Sequence, residues 1–388
     1  MTRKNKLWIY FRGFYGAQFI GFGAFLTLIS VYLTNYLKLE PIQVSIILSV
    51  NPIVMILAQP IWGILSDLTR NPKRMILITI LGTFISLIIY SQVRSFGQIV
   101  LIAIVFSFLQ TAINPLADHL TVSYTIENND TFGSVRLWGS IGFAFGSLLM
   151  GKIADNFGLN LIFYVYMFLL FISVLIMTKI PNYKVITKSN EPFKEGIKSL
   201  ISNKKYLVFL MASFLIFGPI YTNNFYFGIL IQTVGGTLSA VGVAFLIAAG
   251  SEAPFMQKAA LYIRKYSIEN ILIFAALISG LRWTIYIFQP SVNLIYASSI
   301  LQGVSVGLLI PAALTWVRDN CNKSVQSSAI SIYFAISNGL GSWFCTVLSG
   351  KIIDLFNISY TYLMFSILTT LGIVTLFYLK SNAQFKVG

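Results

Sequence analysis

The sequence predicts an all-α membrane protein, twelve transmembrane helices in two six-helix halves, and three observations carry that prediction. The 388-residue chain is 56% hydrophobic and only 10% charged, whereas a soluble domain carries about 25% charged residues. Its apolar runs are long and continuous, as spanning helices require, and lack the alternation of barrel strands. A heptapeptide also recurs: GKIADNF at 151–157 returns as GKIIDLF at 350–356, an offset of 199 residues shared by Gly142 and Gly341.

A helix needs roughly 20 apolar residues to cross a bilayer, and windows of that size follow one another along the chain. The first, 11–35, comes after the basic start MTRKNKLW. No small-residue cleavage site follows it, so it reads as a retained helix rather than a signal peptide. The second, 42–66, contains Pro52 and Pro60, which bundled membrane helices tolerate. Windows 74–93 and 97–121 come next, the latter with Pro115 and, in NPLADHL, Asp118. The polar turn YTIENNDTFGS leads to 135–155, headed by Arg136 with no further charge until Lys152, and then to 159–179. The hydrophilic stretch 180–205 lies midway. The expected domains are therefore 1–179, a cytoplasmic linker 180–205, and 206–388. In the second half, 206–233 holds the polar run IYTNNFYFG, 237–262 holds Glu252, 268–288 holds Arg282 and 291–317 holds Gln302. Windows 326–350 and 358–379 complete the set.

The formal charge of +15 is a topology signal. With both termini cytoplasmic, twenty Lys and Arg residues fall on that side and only Lys38, Arg94, Lys152 and Lys351 on the other, as the positive-inside rule requires. Basic residues at the membrane face also attract anionic lipid. No recognition module accompanies the charge, so nucleic acid is not an expected partner. Cys321 falls in a loop and Cys345 in a helix, which argues against a disulfide, and no Cys/His cluster suggests a metal or other cofactor. HExxH and P-loop motifs are absent, which argues against a zinc hydrolase and against direct ATP coupling. The expected protein is a multi-pass component of the cell membrane, acting as a monomer on a small-molecule solute.

Ionisable groups within membrane helices cost about 2.5–3.5 kcal/mol on insertion scales and persist when paired or used. Four stand out, two in each half: Asp118, Arg136, Glu252 and Arg282. Asp118 and Arg136 are 18 residues apart across a hairpin that could bring them to similar depth. Together they would either grip a solute through bidentate bonds or clasp the hairpin, with Arg136 snorkelling. In IYTNNFYFG, Asn223 and Asn224 read as cavity-lining groups or as interhelical hydrogen-bond partners.

The loop GILSDLTRNPKRM resembles the signature loop of the major facilitator superfamily, G-x-x-x-D-x-x-G-R-[KR], through Gly63, Asp67, Arg70, Lys73 and Arg74. The middle glycine of that pattern is replaced. The resemblance implies a gating role, in which a small residue lets helix ends approach and the acid accepts hydrogen bonds.

The segment FGSVRLWGSIGF is similar to the fifth-helix region of the lactose permease and nucleoside–proton symporter group. That group has an acid 18 residues before the arginine, as Asp118 is, and an aromatic seven after it, as Phe143 is. Gly139, Gly142 and Phe143 match its G-x-x-G-[WF] pattern. GSEAPFMQKAALYIRKY and LRW resemble its eighth-helix acid and ninth-helix arginine, and region 220–283 also resembles phenylpropionate-type permeases. The resemblance implies that Asp118 and Arg136 bind substrate, that Phe143 stacks on a ring, and that Glu252 and Arg282 serve proton coupling. The tenth helix departs from the pattern: in ILQGVSVGLL, Gln302 and Ser305 stand where lactose permease has a histidine and an acid. Neither titrates near neutral pH, so a proton would have to ride on Asp118 or Glu252, with Gln302 left as a substrate-binding candidate.

The function expected is secondary active transport by alternating access, a proton symporter taking up a small polar ring-bearing solute at a site between the halves. Sugars or oligosaccharides lead, nucleosides and small aromatic acids follow, and a drug or lipid exporter of the same fold is the alternative.

Overall fold

Twelve helices long and apolar enough to cross a membrane make up the described residues of the computed structural model, which are 3–128, 132–182, 200, 202–321 and 326–384. They are α1 Leu7–Tyr36, α2 Pro41–Thr69, α3 Pro72–Gln92, α4 Phe96–Thr125, α5 Phe132–Phe157, α6 Leu161–Lys179, α7 Lys204–Thr233, α8 Leu238–Tyr266, α9 Ile268–Ile287, α10 Val292–Asn320, α11 Ser328–Leu355 and α12 Ile358–Ser381. The twelve expected windows coincide with them to within a few residues. The larger differences are extensions: α8 continues through Arg264 and Lys265, and α10 through Arg318, because a helix keeps its hydrogen bonds after its apolar stretch ends. Most of the expected linker lies outside the described residues, and α7 begins inside its last turn.

The chain divides into two compact units. One is Met1–Lys188 with Phe227–Gln232 and Gly236–Leu246; the other is Ser189–Tyr226 with Thr233–Gly235 and Ile247–Gly388. The last turns of α7 and the first of α8 therefore count with the first unit.

In the first unit, α1 packs along α5 and α6, α2 along α4, and α3 along α4 and α6. The α1–α5 contact is a backbone-to-backbone approach. A Cβ on Gly142 would stand 2.8 Å from the Gly16 carbonyl oxygen, so only glycine lets the helices meet there. Ser147 donates to Thr27 across the same seam at 3.1 Å. In the second unit, α9 packs on α10 and α12, and α7 meets α11 in the same way as α1 meets α5. A Cβ on Gly218 would stand 2.8 Å from the Gly341 carbonyl oxygen, and the Thr222 and Thr346 hydroxyls lie 3.3 Å apart. Gly142 and Gly341, like Ser147 and Thr346, are 199 residues apart, so the repeat seen in sequence is a repeat of packing. Buried residues make up 78% of the α1 window and 67% of the α7 window, the two highest shares. These repeat-related helices are the inner elements of their units.

Proline positions are compensated locally. Pro115 leaves the Thr111 carbonyl without its helical donor, and Gln59 of α2 donates to that oxygen at 3.2 Å. Outward faces carry large apolar residues such as Leu57, Leu101 and Phe168, each more than 60% exposed, as a lipid-facing surface requires.

Candidate functional site

The first unit assembles a polar site at the meeting of α1, α4 and α5. Asp118 stands one turn beyond Pro115 on α4, and Arg136 lies near the start of α5. The Asp118 Oδ1 atom is 3.9 Å from Arg136 Nε, with the two side chains 37% and 34% exposed. Tyr15 of α1 donates its hydroxyl to the same Oδ1 at 2.5 Å, and the Tyr15 hydroxyl oxygen is also 3.2 Å from Thr121 Oγ1. The guanidinium carbon sits 4.3 Å from the centre of the Phe19 ring, a cation–π placement. Gly139 clears the way, since a Cβ there would meet both Arg136 Nη1 and the Phe19 ring.

This geometry is a loose ion pair rather than a closed clasp. At 3.9 Å the charges attract without a hydrogen bond between them. Arg136 makes no hydrogen bond with the described residues, so its five N–H donors are unused. Asp118 is oriented by Tyr15 and keeps acceptor capacity. An acceptor-rich carboxylate, an unspent donor fork and an aromatic face together suit a solute with several hydroxyls and an apolar ring face.

Phe143, two turns beyond Arg136 on α5, is half-buried, with its ring 6.1 Å from that of Phe22 and 5.7 Å from that of Phe245. Further polar groups lie within the unit. Gln18 Nε2 is 3.5 Å from the Tyr166 hydroxyl, Asn51 Nδ2 is 3.4 Å from Gln110 Oε1, and Gln18 Oε1 is buried with no partner. Sequence reasoning missed Tyr15, Phe19 and Gln18. A tyrosine in an aromatic-rich helix carries no signature, although GFYGAQF, with a glutamine in an apolar run, was a usable signal.

Asp155, in the repeated heptapeptide, also has a defined partner within this unit. Its Oδ1 accepts from the Leu238 amide at 3.0 Å, and its Oδ2 from the Ser239 amide and hydroxyl at 2.9 and 2.5 Å. It therefore caps the free amides that begin α8.

In the second unit, Glu252 of α8 is half-buried and near Tyr221 of α7. Helix α10 approaches it through Gly307, where a Cβ would stand 2.8 Å from the Glu252 carbonyl oxygen. Arg282 pairs with Gln302 of α10 instead of Glu252. Helix α9 turns the guanidinium toward α10. Asn223 is buried and accepts from the Tyr362 hydroxyl at 3.0 Å, while Asn224 is half-buried.

The α2–α3 loop turns at Arg70, which takes a left-handed conformation (φ 50°), and Asn71 caps α3 through the Arg74 amide at 3.1 Å. Lys73 donates to the Thr178 carbonyl at the end of α6, at 2.9 Å. Gly63 faces open space, and Asp67 is exposed with no side-chain partner among the described residues. Among the described residues no group of three His, Cys, Asp or Glu side chains could hold a metal ion.

A profile of the MFS_1 like family matches residues 8–364. The maltose permease of Geobacillus stearothermophilus is 38% identical over 371 residues, covering 96% of this chain and 94% of that protein. The uncharacterized transporter YwbF of Bacillus subtilis (strain 168) is also 38% identical, over 96% of this chain and 93% of its own. A crystal structure of a mutant of the nucleoside transporter NupG superposes with a TM-score of 0.87 at 18% identity, covering 96% of this chain and 99% of that one.

Proposed function

The chain belongs to the MFS_1 like family, and on that premise we propose that this multi-pass membrane transporter is a proton-coupled symporter for a sugar or short oligosaccharide. The observation that carries the reading is the Arg136 guanidinium, partly exposed and without hydrogen bonds to the described residues, beside the Asp118 carboxylate. Sugar hydroxyls donate to the carboxylate and accept from the guanidinium. Phe19 and Phe143 offer ring faces to the apolar side of a pyranose. Tyr15 holds Asp118 in register. The likeness to a protein named maltose permease supports the sugar class.

Alternating access exposes this site to each side of the membrane in turn. Gln302 and Ser305 do not titrate near neutral pH, so Asp118 and Glu252 are the membrane-embedded carboxylates available to carry the coupled proton. The test is counterflow in proteoliposomes, screened against maltose-class sugars, nucleosides and small aromatic acids, with and without an imposed pH gradient. Sugar counterflow, and accumulation only when the trans side is alkaline, are expected. Glu252→Gln should keep exchange and lose gradient-driven accumulation. Counterflow of nucleosides alone would overturn the sugar assignment, and gradient-independent accumulation the proton coupling.

A further inference from the structure

The second unit contains a buried cation with no anion beside it. Arg282 is 1% exposed within α9. Its guanidinium donates to Gln302 Oε1 and has the Tyr286 hydroxyl as a further hydrogen-bond partner, but its Nε has no acceptor. No carboxylate lies within ion-pair distance of the guanidinium among the described residues. Its central carbon is 4.1 Å from the Trp283 ring centre and 5.8 Å from that of Tyr286.

Two more N–H donors of the same cluster are buried without an acceptor, Trp283 Nε1 and Asn223 Nδ2. They belong to one aromatic assembly. The Tyr362 ring is 6.0 Å from that of Trp283 and 5.2 Å from that of Tyr286, and its hydroxyl donates to Asn223 Oδ1. All the unsatisfied groups are donors, and one carries a permanent positive charge. A buried charge persists when it is paired. A water molecule would satisfy the donors but leave the charge uncompensated. Arg282, Trp283 and Asn223 are each at most 1% exposed, which leaves no opening for a ring-bearing solute. A partner suited to this cluster is therefore small, negative and an acceptor.

We propose that a single chloride-sized monovalent anion binds among α7, α9, α10 and α12, where it neutralises Arg282 and accepts hydrogen bonds from the unsatisfied donors. The site is independent of which solute the first unit takes.

The test is radioactive chloride binding to the purified full-length protein in gluconate buffer, with anomalous diffraction from bromide-soaked crystals to locate the ion. Saturable binding near one ion per chain, competed by bromide, is expected, with the anomalous peak beside Arg282. Trp283→Phe keeps an aromatic ring and removes one donor, and should weaken halide affinity by about tenfold to a hundredfold, one hydrogen bond to a charged group. Arg282→Gln should abolish binding; if that variant fails to fold, Trp283→Phe still decides. Absence of saturable binding in the unaltered protein, or unchanged affinity in Trp283→Phe, would overturn the proposal. So would displacement of bromide by a carboxylate-bearing solute but not by its neutral analogue, because the acceptor would then be the solute's own acid.

Discussion

Removing the Asp155 carboxylate should release the start of α8. That carboxylate accepts from two backbone amides and one hydroxyl within the first unit, at 2.9–3.0 Å for the amides. It also places a negative charge against a helix N-terminus, worth about 0.3–1 kcal/mol at exposed sites. Loss of an N-capping side chain costs about 0.5–2 kcal/mol. Asp155 is itself exposed, so the combined effect belongs near the middle of that range, about 1–2 kcal/mol. Each 1.4 kcal/mol is a factor of ten, so Asp155→Ala should raise local opening of the first α8 turn roughly tenfold. Hydrogen–deuterium exchange resolved at the Leu238 and Ser239 amides measures this directly. Asp354, the repeat counterpart of Asp155, is exposed with no side-chain partner among the described residues, so Asp354→Ala serves as the control and should leave exchange near its own position unchanged. Equal protection of Leu238 and Ser239 in Asp155→Ala and the unaltered protein would refute the capping argument.

Four further outcomes follow from the packing and the site. Gly142→Ala should destabilise by about 1–3 kcal/mol through overpacking against the Gly16 backbone, read as a lower melting temperature. Gly16→Ala should be tolerated, because a Cβ there meets nothing within 4 Å. Gln59→Leu strands the Thr111 carbonyl beside Pro115 and should cost about 1–3 kcal/mol in chemical unfolding; the same unfolding midpoint as the unaltered protein would mean that another donor serves that oxygen. Tyr15→Phe removes the 2.5 Å bond to Asp118 and should weaken solute affinity by roughly tenfold in counterflow, with insertion and folding intact.

The twelve helices were legible because hydropathy alone decides what can cross a bilayer. Their ends were less so, as at α8, where charged residues continue the helix past the apolar window. The Asp118–Arg136 encounter could be anticipated from hairpin arithmetic, which gives depth along a helix. It does not give direction around one, which is why nothing in the sequence showed that Arg282 faces Gln302. The repeat announced Gly142 and Asp155 as special positions without saying what they meet. The tight α1–α5 seam and the cap on α8 each need a second element that no local pattern specifies. Tyr15 was hidden for the opposite reason: its chemistry comes entirely from Asp118, 103 residues away.

The central claim is that the Asp118–Arg136 pair receives the solute. Arg136→Ala, reconstituted and checked for unchanged helicity and melting temperature, tests it through equilibrium binding of the sugar that the unaltered protein exchanges. Binding should be weakened by at least about tenfold, the worth of one charge-assisted contact. Full affinity in a correctly folded Arg136→Ala protein would contradict it and leave the pair as a structural tie between α4 and α5.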